Sequence, residues 1–144
     1  MRTVETPDGD RLLVRKASAD SLLVADPETG EEQYVARGEV SELDGASPLE
    51  TAAGGVPAAT RRVLSAVHDD ESLGLLIELV DRGPIAVVTL LGAYDYCESD
   101  LHGRLAEFRA AGLVEDARVA GERGYDATAL ATEGVANLRA PADD

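Results

Sequence analysis

The chain of 144 residues is poor in four things: cysteine, lysine, aromatic rings and long apolar runs. Its lone thiol, Cys97, excludes an intramolecular disulfide and makes a reducing cytoplasm the simplest compartment. No run near the start suits a signal peptide and none later approaches a membrane span, so a soluble, cytoplasmic protein is expected. There is no Trp, and only Phe108 and four tyrosines supply rings, so the core should be built from Leu, Val and Ala and be rich in helix. With two His and one Cys, and with no Gly-rich phosphate loop, serine elbow or spaced pair of carboxylates, the sequence offers no enzyme chemistry and no cofactor site.

Acid, by contrast, is abundant. There are 28 Asp and Glu against 13 Lys and Arg, a net charge of −15. The excess is spread along the chain, twelve acids to five bases through Glu50 and sixteen to eight beyond it. Twelve of the bases are Arg and only Lys16 is Lys. Such an evenly acidic, Lys-poor, Ala/Gly/Val-rich composition resembles that of cytosolic proteins from haloarchaea that accumulate molar KCl, where acidic surface keeps proteins soluble.

From Arg2 to about Ala36, short apolar runs alternate with turn chemistry, the pattern of an antiparallel β-meander. Strands are predicted at Arg2 to Thr6, Arg11 to Lys16, Ser21 to Ala25 and Glu32 to Ala36, with turns at PDGD, SAD and DPETG; in the last, Gly30 is free to take positive φ. One apolar face of this sheet needs a cover, expected from the helical half that follows. Residues 1–45 are read as the β-meander subdomain and 46–70 as a connector with a helix. Pro48 and Pro57 are placed to open helices there, the second with Ala59, Val63, Ala66 and Val67 on one face.

Residues 71–140 are read as a further domain, which opens with the helical period. Ser72 or Asp70 is expected to cap a helix carrying Leu73, Leu76, Ile77 and Val80 inward. Gly83 should stop it and Pro84 start a short second helix with Ile85, Val88 and Leu91 inward. A third helix lies in CESDLHGRLAEFRAAGLVED, with Leu101, Leu105 and Phe108 inward and an end at Gly112. VEDARV and GYDAT then suit two strands across the loop AGERG, and a last helix runs from about Leu130 to Arg139.

This order of helix, helix, helix, strand, wing, strand, helix resembles winged helix-turn-helix regulators of the MarR/ArsR/PadR kind. The pieces RAAGLVED and ATEGVANL stand where those regulators end the third helix and start the last one. The whole chain resembles a haloarchaeal family of small winged-helix proteins with an N-terminal β-meander, without an established activity. The expected fold class is therefore α+β: an N-terminal antiparallel β-meander followed by a winged helix-turn-helix domain.

In that fold the third helix enters the major groove and the wing touches the backbone or minor groove. The resemblance implies outward positions at Glu98, Ser99, Asp100, His102, Gly103 and Arg104, with Arg118 and Arg123 in or beside the wing. Arg104 is suited to a guanine, Ser99 to a base or a phosphate, Glu98 or Asp100 to a cytosine amino group, and Arg123 to phosphate. Yet from Tyr96 through Asp126 seven acids face four bases. At molar salt the screening length is about 3 Å, so distant carboxylates count for little and affinity must come from close contacts. The expected function is a DNA-binding transcriptional regulator with double-stranded DNA as partner, acting as a homodimer paired through the last helix with Leu130, Val135 and Leu138. The competing reading is a winged-helix adaptor that binds protein without touching DNA. The N-terminal sheet is free to sense a ligand or hold a partner.

Smaller constellations are read conservatively. Cys97 and His102 lie about 140° apart on a helix and do not converge on a metal, so Cys97 is read as a partly buried turn residue and His102 as a surface one. The run HDDE at His68 to Glu71 is read as a helix start, where acids suit the dipole. Of Tyr94 and Tyr96, one is expected in the core.

Overall fold

The structure, a computed structural model, describes residues 2–140. The described residues divide into two compact units, with the boundary between Pro57 and Ala58.

The first unit is a five-stranded antiparallel sheet. Strands β1 (Arg2–Glu5), β2 (Arg11–Ala17), β3 (Ser21–Ala25) and β4 (Glu32–Ala36) form the predicted meander. After a 3₁₀ turn at Arg37–Glu39, a strand the sequence did not announce, β5 (Ser41–Glu42), returns to the free edge of β1, giving the order β4-β3-β2-β1-β5. Two residues are too few for an alternating pattern to register. The turn before β4 closes through Gly30 N–H to Asp26 O at 2.7 Å, with Gly30 at φ 76°, as expected. Pairing β1 with β2 sets Val4 opposite Leu12, and pairing β2 with β3 sets Val14 opposite Val24. Those four and Leu22 form a small core, with Val35 and Val40 against it. On the other face the cover comes from within the unit: helix α1 (Pro48–Ala53) lies on β1 and β2, and Thr51 Oγ1 and Thr3 Oγ1 share a buried hydrogen bond of 2.8 Å. Pro48 opens α1 as predicted, and Ser47 caps it by accepting from Glu50 N–H.

The second unit holds α2 (Ala58–Ala66), α3 (Asp70–Arg82), β6 (Ile85–Ala86), α4 (Val87–Ala93), α5 (Glu98–Ala110), β7 (Val114–Val119), β8 (Glu122–Ala127) and α6 (Ala129–Arg139). Its core joins Val63, Leu76, Leu79, Leu90, Leu101, Leu105, Phe108, Leu113 and Val135. The α2 face carries Ala59, Val63 and Ala66 inward and packs on α6. Gly134 makes that close: a Cβ there would lie 2.6 Å from Ala59 O. No helix among the described residues is long and apolar enough to cross a membrane.

Three local expectations are corrected. The cap of α3 is Asp69, whose carboxylate accepts from the Ser72 N–H and hydroxyl at 2.8 and 2.6 Å, rather than Ser72 or Asp70. Its deepest residues are Leu75, Leu76 and Leu79, with Leu73, Ile77 and Val80 half-buried beside them. Pro84 does not start a helix: a cis peptide joins it to Gly83, and Ile85 and Ala86 then pair with β8 as the third strand of the sheet β6-β8-β7. With α4 beginning only at Val87, Leu90 faces inward and Val88 is 60% exposed.

Candidate nucleic-acid interface

Helix α5 is amphipathic by position rather than by charge. Leu101, Leu105 and Phe108 are buried, and at about 100° per residue the side opposite them carries Ser99, Gly103, Ala106 and Ala110, all exposed and all small. Glu98 and Asp100 are exposed too, while His102 and Arg104 are half-buried on the flanks.

Both arginines of α5 face a carboxylate. Arg104 Nη2 lies 2.9 Å from Oδ2 of Asp69, the cap of α3, and its side chain is only 29% exposed. One turn on, Glu107 Oε2 meets His68 Nε2 at 3.2 Å, so the start of α3 is tied twice to one flank of α5. On the other flank Arg109 Nη2 pairs with Asp116 Oδ2 of β7 at 2.9 Å. His102 faces Glu98 within the helix at 3.8 Å. The sequence pattern places Arg104 outward; the structure places it sideways, where it braces two helices. Asp69 is held below its ordinary carboxylate range first by the Ser72 hydroxyl, then by the Ser72 N–H, with Arg104 adding to both.

The wing is a tight hairpin. Val119 pairs with Glu122, so the connection is two residues, Ala120 and Gly121, at φ 53° and 82°. Positive φ at both positions matches the twist that a two-residue turn must give its strands. This register sets Arg118 directly opposite Arg123, both exposed. Arg118 Nη1 donates to Gly121 O at 3.3 Å, and Arg123 donates to Tyr125 Oη at 3.0 Å while its guanidinium lies 5.8 Å from that ring. Neither forms an ion pair among the described residues. Like charges facing each other across strands destabilise a hairpin.

The N-terminus of α5 carries Cys97, which is exposed rather than partly buried. Its thiol is held below the usual range by the Ser99 hydroxyl, 3.2 Å away, and by the Asp100 and Ser99 N–H groups. Among the described residues no three His, Cys, Asp or Glu gather as a metal-binding set. Tyr94 and Tyr96 both pack half-buried against the core, so the expectation of one core tyrosine gives way to two at its edge.

A five-stranded antiparallel sheet with α1 against it, then four helices, a wing-like hairpin with a third strand beside it, and a closing helix define an α+β chain. Residues 1–139 match a family described as a family of unknown function, DUF7346, and the chain belongs to it. No curated protein and no solved structure matches the chain.

Proposed function

We propose that the second unit binds double-stranded DNA through α5 and the wing, and that the chain is a cytoplasmic transcriptional regulator of the MarR/ArsR/PadR-like kind from a salt-in haloarchaeon. The observation that carries this reading is the arginine pair of the wing: the hairpin register sets Arg118 opposite Arg123, both are exposed, and neither forms an ion pair among the described residues. Two cations on neighbouring strands suit a phosphodiester backbone. In this reading Ser99 and Gly103, on the small outer side of α5, let the helix approach the bases, and Arg104 holds α5 at its angle instead of reading guanine. A homodimer fits twofold DNA sites, with Leu138 of α6 and Leu64 of α2 exposed to serve as its contact.

A second reading, a winged-helix adaptor for another protein, is favoured by the pairing of both arginines of α5 with carboxylates. Retention of sheared genomic DNA by the purified chain, from about 0.2 M to about 3 M KCl, separates the two. Regulator behaviour is sequence-selective retention that persists at the high end, together with a uniform loss in Arg118→Ala/Arg123→Ala and a salt slope lower by about one unit per arginine. Folded protein that retains no DNA at any salt would overturn the regulator and leave the adaptor.

A further inference from the structure

The five-stranded sheet has two edges of different kinds. On one, β5 is only two residues long, too short to template a further strand. On the other, β4 presents all five of its residues, Glu32–Ala36, with β3 as its one neighbouring strand among the described residues. Short edge strands, lysines, prolines and bulges are the devices by which sheets discourage pairing with another chain. Strand β4 has no lysine and no proline, and the irregularity of the sheet falls between Val14 and Lys16 of β2. Four of its five residues are exposed, Tyr34 by 70%.

The direction of its backbone groups follows from the bonds at the two ends of the ladder between β3 and β4. Asp26 N–H donates to Glu31 O at 2.9 Å and Arg37 N–H donates to Asp20 O at 3.2 Å, both in the register that sets Leu23 opposite Tyr34. Alternate residues of an antiparallel strand bond to the same side. Glu31, Gln33, Val35 and Arg37 therefore turn their N–H and C=O groups toward β3. Glu32, Tyr34 and Ala36 turn theirs outward, where no strand among the described residues meets them.

We propose that β4 pairs antiparallel with β4 of a second copy of the chain, about a twofold axis at Tyr34, so that two sheets join into one. The outward groups set the parity of the pairing, and centring it on Tyr34 is what brings in all five residues of the strand. Tyr34 then exchanges both backbone hydrogen bonds with its symmetry mate, and Glu32 and Ala36 exchange theirs across the axis. In this register the strand is complementary to itself. Glu32 faces Ala36, Gln33 faces Val35, and beyond the strand ends Glu31 faces Arg37, so no like charges stand opposite one another. Centring at Glu32 instead would set that carboxylate against its own copy. The two Tyr34 rings, neighbours across the axis, would cover surface that each leaves exposed alone. The net charge of −15 repels one copy from another, but molar salt screens that long-range term and leaves the seam to its close contacts. The pairing uses the first unit alone and is independent of DNA binding and of the contact proposed for α6.

The test is the mass of the full chain in solution, by light scattering over a concentration series in about 2 M KCl, compared with that of Ala36→Pro. Ala36 has φ −71°, a value proline shares, and its N–H points away from β3. The substitution therefore spares the sheet and removes one interchain bond at each end of the seam. The parent is expected to self-associate, and the variant to do so about tenfold or more weakly. A second readout fixes the register, in a Cys97→Ser background that removes the native thiol. Tyr34→Cys sets two thiols across the axis on Cα atoms about 5.5 Å apart, within disulfide reach. Gln33→Cys sets them on a diagonal of about 7 to 8 Å, beyond that reach. Under mild oxidant the first should form a covalent dimer and the second should not. Should Ala36→Pro lose its folded signal, the two cysteine variants decide alone. A parent that stays monomeric at every concentration, association unchanged in Ala36→Pro, no link through Tyr34→Cys, or equal linking at both positions would each overturn the proposal.

Discussion

The two units carry almost the same charge by different means. The sheet unit has twelve acids and five bases, a net of −7; the winged unit has sixteen and eight, a net of −8. In the sheet, order comes mostly from neighbours: strands β1 to β4 each pair with the next through a short turn, and the ion pair between Arg2 and Glu42 lies on the edge that β5 closes. In the winged unit, charge does part of the work that turns do in the sheet. Asp69 to Arg104 and Asp81 to Arg139 join elements distant in sequence, and Asp116 to Arg109 ties α5 to the strand that follows it. Each pair is partly exposed and worth little alone. Together they tie α3 to α5, α3 to α6 and α5 to β7.

That contrast can be broken in the cores first. Phe108 is fully buried in the fifteen-residue core of the winged unit, and Phe108→Ala should cost about 3 to 5 kcal/mol in denaturant unfolding. Leu22→Ala, in the five-residue core of the sheet, should fall near the low end of about 2 to 5 kcal/mol. An equal or larger loss at Leu22 would mean that the sheet is not the shallower of the two.

Two helical glycines sharpen the comparison with opposite signs. At Gly134 a methyl group would press on Ala59 O and lie 2.7 Å from Val63 Cγ2, so Gly134→Ala should destabilise by about 1 to 3 kcal/mol as α6 is forced off α2. At Gly74 the same change meets open space and should stabilise by about 0.5 to 1 kcal/mol. Thermal melts of the two variants should move in opposite directions.

The smallest effect expected is in acid. Asp69 titrates below its ordinary value of 3.8 in the folded chain, so its stabilising contribution is complete above that value and is lost as pH falls through the lowered one. Asp69→Asn keeps a good cap and removes the titration. Unfolding midpoints measured between neutral pH and pH about 3 should therefore decline less steeply in the variant than in the parent. An identical acid limb would mean that Asp69 is not linked to folding.

Much of the fold was legible because local chemistry specified it. Asp26 and Gly30 mark a turn, Ser47 and Pro48 open a helix, and the spacing of Leu101, Leu105 and Phe108 gives α5 its buried side. The errors fall where long-range contacts choose among local options. HDDES offers several caps, and Asp69 is the one that also reaches Arg104. Ile85 fits a helix pattern, but its neighbour across space is Tyr125 of β8, and strand pairing prevails. Gly134 reads in sequence as part of a helix start, while its role is to admit α2. For the interface, residue types were visible but their partners were not: nothing in the spacing announced that Arg104 would be bound by a carboxylate thirty-five residues earlier. The signal for the wing was better. AGERG marked a turn, and only its two-residue register puts Arg118 across from Arg123.

That register sets a parity rule for natural variation. Side chains alternate faces along a strand, so one residue inserted into either arm of the hairpin would carry its arginine to the opposite side. Related chains with longer wings should therefore have gained residues in even numbers per strand, or have moved the basic residue along with the insertion.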